Sequence, residues 1–238
     1  MSGPNRTVGA SSERFYGRRT GKPLRPGRQR LMDERLPALR IDPAAAASLD
    51  DFFAGAVSAL WLEIGFGGGE HLAHMAATHP DIGIIGCEPF VNGVASLLSH
   101  IDERGLGNVR IFDDDARDLL AALPDGAFER VFLLYPDPWP KTRHHRRRFV
   151  NRANLDELAR LLADGGMFRF ASDHMDYVRW TLDHVGLHPE FEWTAEAPAD
   201  WRTRPDDAIE TRYEAKAKRQ GATCVYLNFR RVPRRVLP

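Results

Sequence analysis

Cysteine is scarce in this chain. The two present, Cys87 and Cys224, lack metal-ligand spacing and sit in apolar stretches that should be strands. They read as small core residues in a reducing cytoplasm, not as staples of a secreted scaffold. Long apolar runs are missing too, and none is long enough for a transmembrane helix. The opening Met1-Ser2-Gly3-Pro4-Asn5-Arg6 lacks the apolar segment of a secretory signal. Internal repeats are absent. These gaps point to a cytoplasmic protein with no membrane partner.

Net charge is also lacking, with 33 Lys and Arg against 33 Asp and Glu. The balance conceals segregation. Residues 1–40 hold ten cations against three acids, and residues 41–140 hold sixteen acids against four cations. Residues 141–152 then carry six cations and no acid, and the last ten residues carry four arginines and no acid. An acidic body with basic rims suits an anionic polymer touching the edges while a cationic small molecule sits inside.

What is present is ample apolar content, 43% of 238 residues, enough for one α/β domain with an appended arm or at most two small domains. Residues 1–40 are the arm. Its segment Gly17-Arg18-Arg19-Thr20-Gly21-Lys22-Pro23-Leu24-Arg25-Pro26-Gly27-Arg28 has too much glycine, proline and charge to bury a core. It is expected to be mobile without a partner, as a binding arm or a solubilising tail. A short helix is expected at 29–39. Residues 41–238 form the domain proper. Strands are expected at 60–64, 82–87, 109–112, 130–134 and 166–171. Helices at 70–78, 93–104, 152–162 and 173–185, and a shorter one ending at Ala122, alternate with them. Segments 190–193 and 223–229 complete the set as an antiparallel terminal pair. This pattern predicts a doubly wound, mostly parallel, seven-stranded Rossmann-like sheet covered on both faces. Ligands bind such sheets at the carboxyl ends of the strands, near the switch in strand order.

The residues suited to chemistry fall there. Strand one ends in Gly65-Phe66-Gly67-Gly68-Gly69, with Glu63 just before the loop and Glu70 just after it. A dinucleotide loop needs Gly-x-Gly-x-x-Gly, and acids so placed would repel a pyrophosphate. They accommodate a ligand bearing an ammonium and a sulfonium, which S-adenosylmethionine offers. Gly65 and Gly67 belong to that site. Glu88, at the end of strand two, either accepts hydrogen bonds from ribose hydroxyls or is a surface acid. Asp115 is placed to reach an adenine amino group, with Asp113 and Asp114 as solvated neighbours or helix caps.

After strand four, Tyr135-Pro136-Asp137-Pro138-Trp139-Pro140-Lys141 runs into Thr142-Arg143-His144-His145-Arg146-Arg147-Arg148. Three prolines lock φ and extend the residues before them, so a stiff loop holds the Asp137 carboxylate beside an aromatic. The cations that follow are either a solvated face or phosphate contacts with salt-sensitive affinity. Trp139 either stacks on a purine or packs. His144 and His145 lack the spaced partners of a metal site, and no metal is expected. Trp180 and Trp193 read as core.

Taken together, Leu62-Glu63-Ile64-Gly65-Phe66-Gly67-x-Gly69 and Pro136-Asp137-Pro138-Trp139-x-Lys141-x-Arg143-His144-x-x-Arg147-Arg148 closely resemble motifs of the bacterial tRNA (guanine-N7)-methyltransferases. These are class I S-adenosylmethionine-dependent enzymes. Ala171-Ser172-Asp173 and Thr211-Arg212-Tyr213-Glu214 match further motifs, and the basic arm fits, so the resemblance covers nearly the whole chain. It implies methyl transfer from S-adenosylmethionine to N7 of guanine 46 in the tRNA variable loop, leaving S-adenosylhomocysteine. It also implies cofactor contacts at Glu63, Glu88, Asp115 and Asp137, with Asp137 catalytic. Substrate contacts fall on Lys141, Asp173, Thr211, Arg212, Tyr213 and Glu214, although Arg212 occupies a variable position of that family. RNA contacts fall on Arg143, His144, His145, Arg146, Arg147 and Arg148. A monomer and a homodimer both fit.

The implied chemistry suits these residues. Guanine N7 carries a free lone pair, so no base has to remove a proton, and catalysis is mostly alignment and electrostatic help. Carboxylates at Asp137 and Asp173 suit the guanine N1–H and amino group, and Lys141 suits O6 or a phosphate. A methyltransferase acting on protein or a small molecule would not need the basic arm and loop. A noncatalytic tRNA-binding protein would not need the cofactor constellation.

Overall fold

The structure, a computed structural model, describes residues 16–53 and 57–234. The first fifteen residues of the expected arm, and Arg235 with the three residues after it, lie outside the described residues. The apolar stretches form one sheet of seven strands: β1 (Ala59–Ile64), β2 (Ile82–Cys87), β3 (Val109–Phe112), β4 (Phe128–Leu134), β5 (Leu162–Ser172), β6 (Phe191–Trp193) and β7 (Val225–Arg231). Their spatial order is β3-β2-β1-β4-β5-β7-β6. The first five pair in parallel, and β7 runs antiparallel between β5 and β6. The sequence Ile-Gly-Ile-Ile-Gly-Cys of β2 is buried along its whole length, as befits a strand covered on both faces. On β4, the neighbours Val131 and Phe132 point into different apolar clusters, one on each side of the sheet. Strand order reverses between β1 and β4, and the site lies above that reversal.

Helices α1 (Pro26–Glu34), α2 (Leu36–Leu39) and α3 (Leu49–Phe53) precede the sheet. Those packed on it or near it are α4 (Glu70–Thr78), α5 (Val91–Arg104), α6 (Ala116–Leu120), α7 (Arg152–Leu161), α8 (Met175–Gly186), α9 (Ala199–Arg202) and α10 (Arg212–Arg219). Among the described residues no helix is long and apolar enough to cross a membrane. The helix expected at 29–39 is two helices, because Pro37 has no N–H to continue the ladder. Leu36 and Ile41 are buried, and Ile41 N–H donates to the Ile111 carbonyl at 2.8 Å, so this part of the arm joins the body. Upstream, Val91 N–H donates to Arg19 O at 2.9 Å, Gly21 N–H to Asn92 Oδ1 at 2.8 Å and Asn92 Nδ2 to Lys22 O at 2.8 Å. These bonds lay residues 19–22 on the first turn of α5.

The acidic triplet after β3 is paired, one arginine to each acid. Arg40 binds both oxygens of Asp113 at 2.8 and 2.6 Å, Arg19 meets Asp114 at 2.7 Å, and Arg117 meets Asp115 at 2.5 Å. Two expectations need correction. Trp193 is 43% exposed, because β6 is the outermost strand, whereas Trp180 is partly buried against the core. The fifth strand begins at Leu162, earlier than the glycine pair suggested, because α7 stops at Leu161 and the chain extends at once.

Candidate active site

A cavity of about 340 Å³ opens at the carboxyl ends of β1, β2 and β4, within the size range of small-ligand sites. Gly65, Gly67, Glu88, Asp115, Asp137 and Tyr213 all line it. The glycine loop needs its glycines, since Gly65, Gly67 and Gly69 have φ of 71°, 57° and 78°. At Gly67 a β-carbon would also lie 2.7 Å from the Tyr213 ring. Glu88 ties this loop to β2: Oε2 accepts from Gly67 N–H at 2.8 Å and Oε1 from Phe90 N–H at 2.9 Å. Each oxygen retains a lone pair for a ligand hydroxyl. Burial pushes the Glu88 carboxyl above its ordinary value, and the two N–H donors oppose that rise. Asp115 caps α6 and is gripped by Arg117 through the backbone N–H and the guanidinium. A ligand amino group at Asp115 would therefore share the carboxylate with Arg117. Cys87 adds a neutral wall, its thiol pushed up by burial.

The loop after β4 carries Asp137 between two bulky residues in the left-handed region, Tyr135 at φ 51° and Trp139 at φ 44°. Such conformations persist only where the surroundings fix them. Tyr135 N–H donates to Ala171 O at 2.7 Å, anchoring the entry to β5. Arg148 anchors the other side: its Nε donates to Pro138 O at 2.9 Å, and its Nη2 binds Asp176 on α8. The Arg148 guanidinium is fully buried over the rings of Tyr177 and Trp180, at 4.8 and 5.1 Å. That overturns its expected place among the RNA contacts: Arg148 braces the loop from inside. The Asp137 residue is exposed at the cavity mouth, and the protein around it desolvates the carboxyl enough to raise its pKa.

The rest of the basic run divides in the same way. The Arg147 guanidinium lies between two rings, 4.3 Å from Tyr16 and 4.8 Å from Trp139, and both Tyr16 and Arg147 line the cavity. Trp139 is partly buried against Arg147 and also lines the cavity. His145 is half-buried, 3.5 Å from Asp176 and edge-on to Trp180, and His144 sits edge-on to Trp139. Lys141, Arg143 and Arg146 are exposed and present their charges outward on a short 3-10 helix, Thr142–Arg147, and the residue before it.

Of the four residues at 211–214, Tyr213 alone lines the main cavity. Thr211 caps α10 by accepting Glu214 N–H at 3.2 Å. Glu214 is buried and accepts from Tyr226 Oη and Lys218 Nζ, both at 2.7 Å. Arg212 reaches back to Glu70 and lies over Gly68. Thr211 and Glu214 are therefore buried supports of the helix that carries Tyr213 to the cavity wall, while Arg212 stays exposed on its outer side. Asp173 is half-buried just past β5 and does not line the cavity. Glu63 is also outside the main cavity. It lines a small chamber of about 10 Å³ that shares Gly65, Tyr135 and Tyr213 with the main one, and its Oε2 is 2.7 Å from His71 Nδ1.

A family model described as "Putative methyltransferase" matches residues 58–227. The chain is 58% identical to the tRNA (guanine-N(7)-)-methyltransferase of Rhodospirillum rubrum, over 94% of this chain and 90% of that one. It is 50% identical to the Rhizobium meliloti protein of the same name, over 93% and 96%. The chain belongs to the tRNA (guanine-N7)-methyltransferase family. Solved methyltransferases share its fold at 16% identity. One is an antibiotic-related methyltransferase, with TM-score 0.54 over 80% of this chain and 94% of that one. Another is the 16S rRNA (adenine(1408)-N(1))-methyltransferase of Catenulisporales acidiphilia, with TM-score 0.54 over 82% and 95%. Within this family frame, three residues around the site carried no local sequence signal: His71, Tyr16 and Arg117. Tyr16 is placed by a partner distant in the chain, Arg117 by a helix cap, and His71 by Glu63 across the turn of the glycine loop.

Proposed function

We propose that the protein transfers a methyl group from S-adenosylmethionine to N7 of guanine 46 in the variable loop of tRNA. The observation that carries this is the braced loop, which sets Asp137 at the mouth of the glycine-loop cavity with Lys141, Arg143 and Arg146 exposed just beyond it. The cavity's size and its carboxylates fit the donor, which supplies an electrophilic methyl on a sulfonium. Glu88 would take the ribose hydroxyls, Asp115 with Arg117 would face the adenine edge, and Glu63 would face the ammonium. This reading places the protein in the cytoplasm with tRNA as its partner.

For the acceptor, the protein's work is alignment. The N7 lone pair is free, so no residue has to take a proton from it. Asp137 would accept from the guanine N1–H or amino group, a bond strengthened by its desolvated setting, and would offset positive charge arriving on the base. Lys141 would meet guanine O6 or a phosphate. The exposed arginines would hold the backbone.

The test is incubation of the purified protein with unmodified tRNA and methyl-labelled S-adenosylmethionine, followed by nuclease digestion. Label should be found in 7-methylguanosine and vanish when guanine 46 is replaced by adenine. Label in protein, in another nucleoside or nowhere would reject the reading. Asp137→Ala should retain the fold and lose turnover by about a hundredfold or more. Near-normal activity would remove Asp137 from the chemistry.

A further inference from the structure

Resting on the reading of the cavity as a donor site, we infer that His71 is a positioning residue that aims the Glu63 carboxylate at the donor's ammonium group. His71 is the second residue of α4, directly beyond the glycine loop. Its Nδ1 stands 2.7 Å from Glu63 Oε2, and a carboxylate only accepts, so Nδ1 carries the proton. Among the described residues, His71 is the one group hydrogen-bonded to the Glu63 side chain. The ring is buried, packed edge-on against Phe132 at 5.0 Å, and its Nε2 meets no hydrogen-bond partner there. The single polar task of this imidazole is thus to hold Glu63.

The charge balance points to what Glu63 awaits. Of the two acids flanking the loop, Glu70 is paired with Arg212. Glu63, with 4% of its side chain exposed, has only the imidazole. A buried carboxylate with a single hydrogen-bond donor keeps acceptor capacity for a cationic group in the chamber it faces. The chamber it lines has room for a group the size of one water, and its walls include Gly65 and Tyr213 of the main cavity. An ammonium on the amino-acid end of the donor matches that space and charge.

Calorimetry on His71→Asn and His71→Gln tests this with S-adenosylhomocysteine, which carries the ammonium, and 5′-methylthioadenosine, which lacks the amino-acid end. Asparagine puts an N–H near the Nδ1 position, whereas glutamine moves it toward Nε2. The Asn variant should bind S-adenosylhomocysteine within about twofold of wild type, and the Gln variant about tenfold more weakly, as for loss of a charge-assisted hydrogen bond. Both should bind 5′-methylthioadenosine as wild type does. In a Glu63→Gln background the Asn–Gln difference should disappear. Equal losses for both ligands, or no difference between the two variants, would overturn the inference on His71. Wild-type protein that bound the two ligands equally well would instead overturn the ammonium's place beside Glu63, and with it this reading of the chamber.

Discussion

Arg146 and Arg148 stand two residues apart in one basic run and have opposite surroundings. Arg148 is sealed over Tyr177 and Trp180 and ties Pro138 to Asp176, while Arg146 is exposed on the 3-10 turn. Arg148→Leu should therefore cost about 2 kcal/mol of stability, the scale of a charge-assisted hydrogen bond. The loss should stay below that of a fully buried pair, because Asp176 is half-exposed and rehydrates. Urea unfolding measures it, and a change below about 0.5 kcal/mol would show that the loop holds itself. Arg146→Ala should leave unfolding unchanged and reduce the salt slope of tRNA binding by about one. Glu88 gives a pH dependence at the same scale. Burial holds its pKa above the ordinary carboxylate range, so its proton leaves at higher pH than usual. Ribose hydroxyls donate to the carboxylate form, so S-adenosylhomocysteine affinity should rise with pH through that raised value and fall away below it. Glu88→Gln should flatten this acidic limb in a calorimetric titration series. For the ligand-free fold the sign is reversed. A carboxyl raised in the folded state favours folding as pH falls through its folded value, and that contribution is lost as pH rises.

At the scale of elements, the strands were legible because burial on both faces makes them near-continuous apolar runs, as in β2. The cavity's place followed from strand order, and its glycine loop, Glu88 and Asp137 were legible from their positions at strand ends. Helix α10 was not. Its buried face consists of Glu214 and Ala217, so the sequence Arg-Tyr-Glu-Ala-Lys-Ala-Lys-Arg shows no apolar stripe. The burial of Arg148 was equally hidden, because its covering rings come from α8, about thirty residues on. A charge run looks uniform until the fold decides which of its members face inward. The α10 start is where a small local feature reaches the site. Thr211 caps the helix whose first turn carries Tyr213 onto Gly67. Thr211→Ala should cost about 1 kcal/mol by loss of the cap. It should also weaken S-adenosylhomocysteine binding, through a looser Tyr213, while Thr211→Ser should preserve both. Unchanged affinity in the alanine variant would confine residue 211 to stability.

For the whole molecule, charge segregation has a structural consequence as well as an electrostatic one. The acids after β3 recruit Arg19 and Arg40 from the basic N-terminal segment, and this pairing brings residues 16–18 to the rim of the cavity. There the Tyr16 and Trp139 rings meet edge-on with Arg147 over both, a cation–π cluster that joins the arm to the Asp137 loop. One arginine therefore stands where the cavity, the arm and the basic 3-10 turn meet. Tyr16→Ala removes one ring of this cation–π cluster, worth roughly 0.5–1 kcal/mol at a partly exposed site. That corresponds to about a threefold loss of S-adenosylhomocysteine affinity. Because the ring closes one side of the cavity without contacting the chemistry, the loss should come mainly from faster ligand release in stopped-flow measurements, with association little changed. Tyr16→Phe should behave as wild type, since the cation–π contact uses the ring and not the hydroxyl. If release is unchanged in the alanine variant, the arm's contacts with Asp114 and α5 serve only to seat it, and the cavity is closed by the Asp137 loop alone.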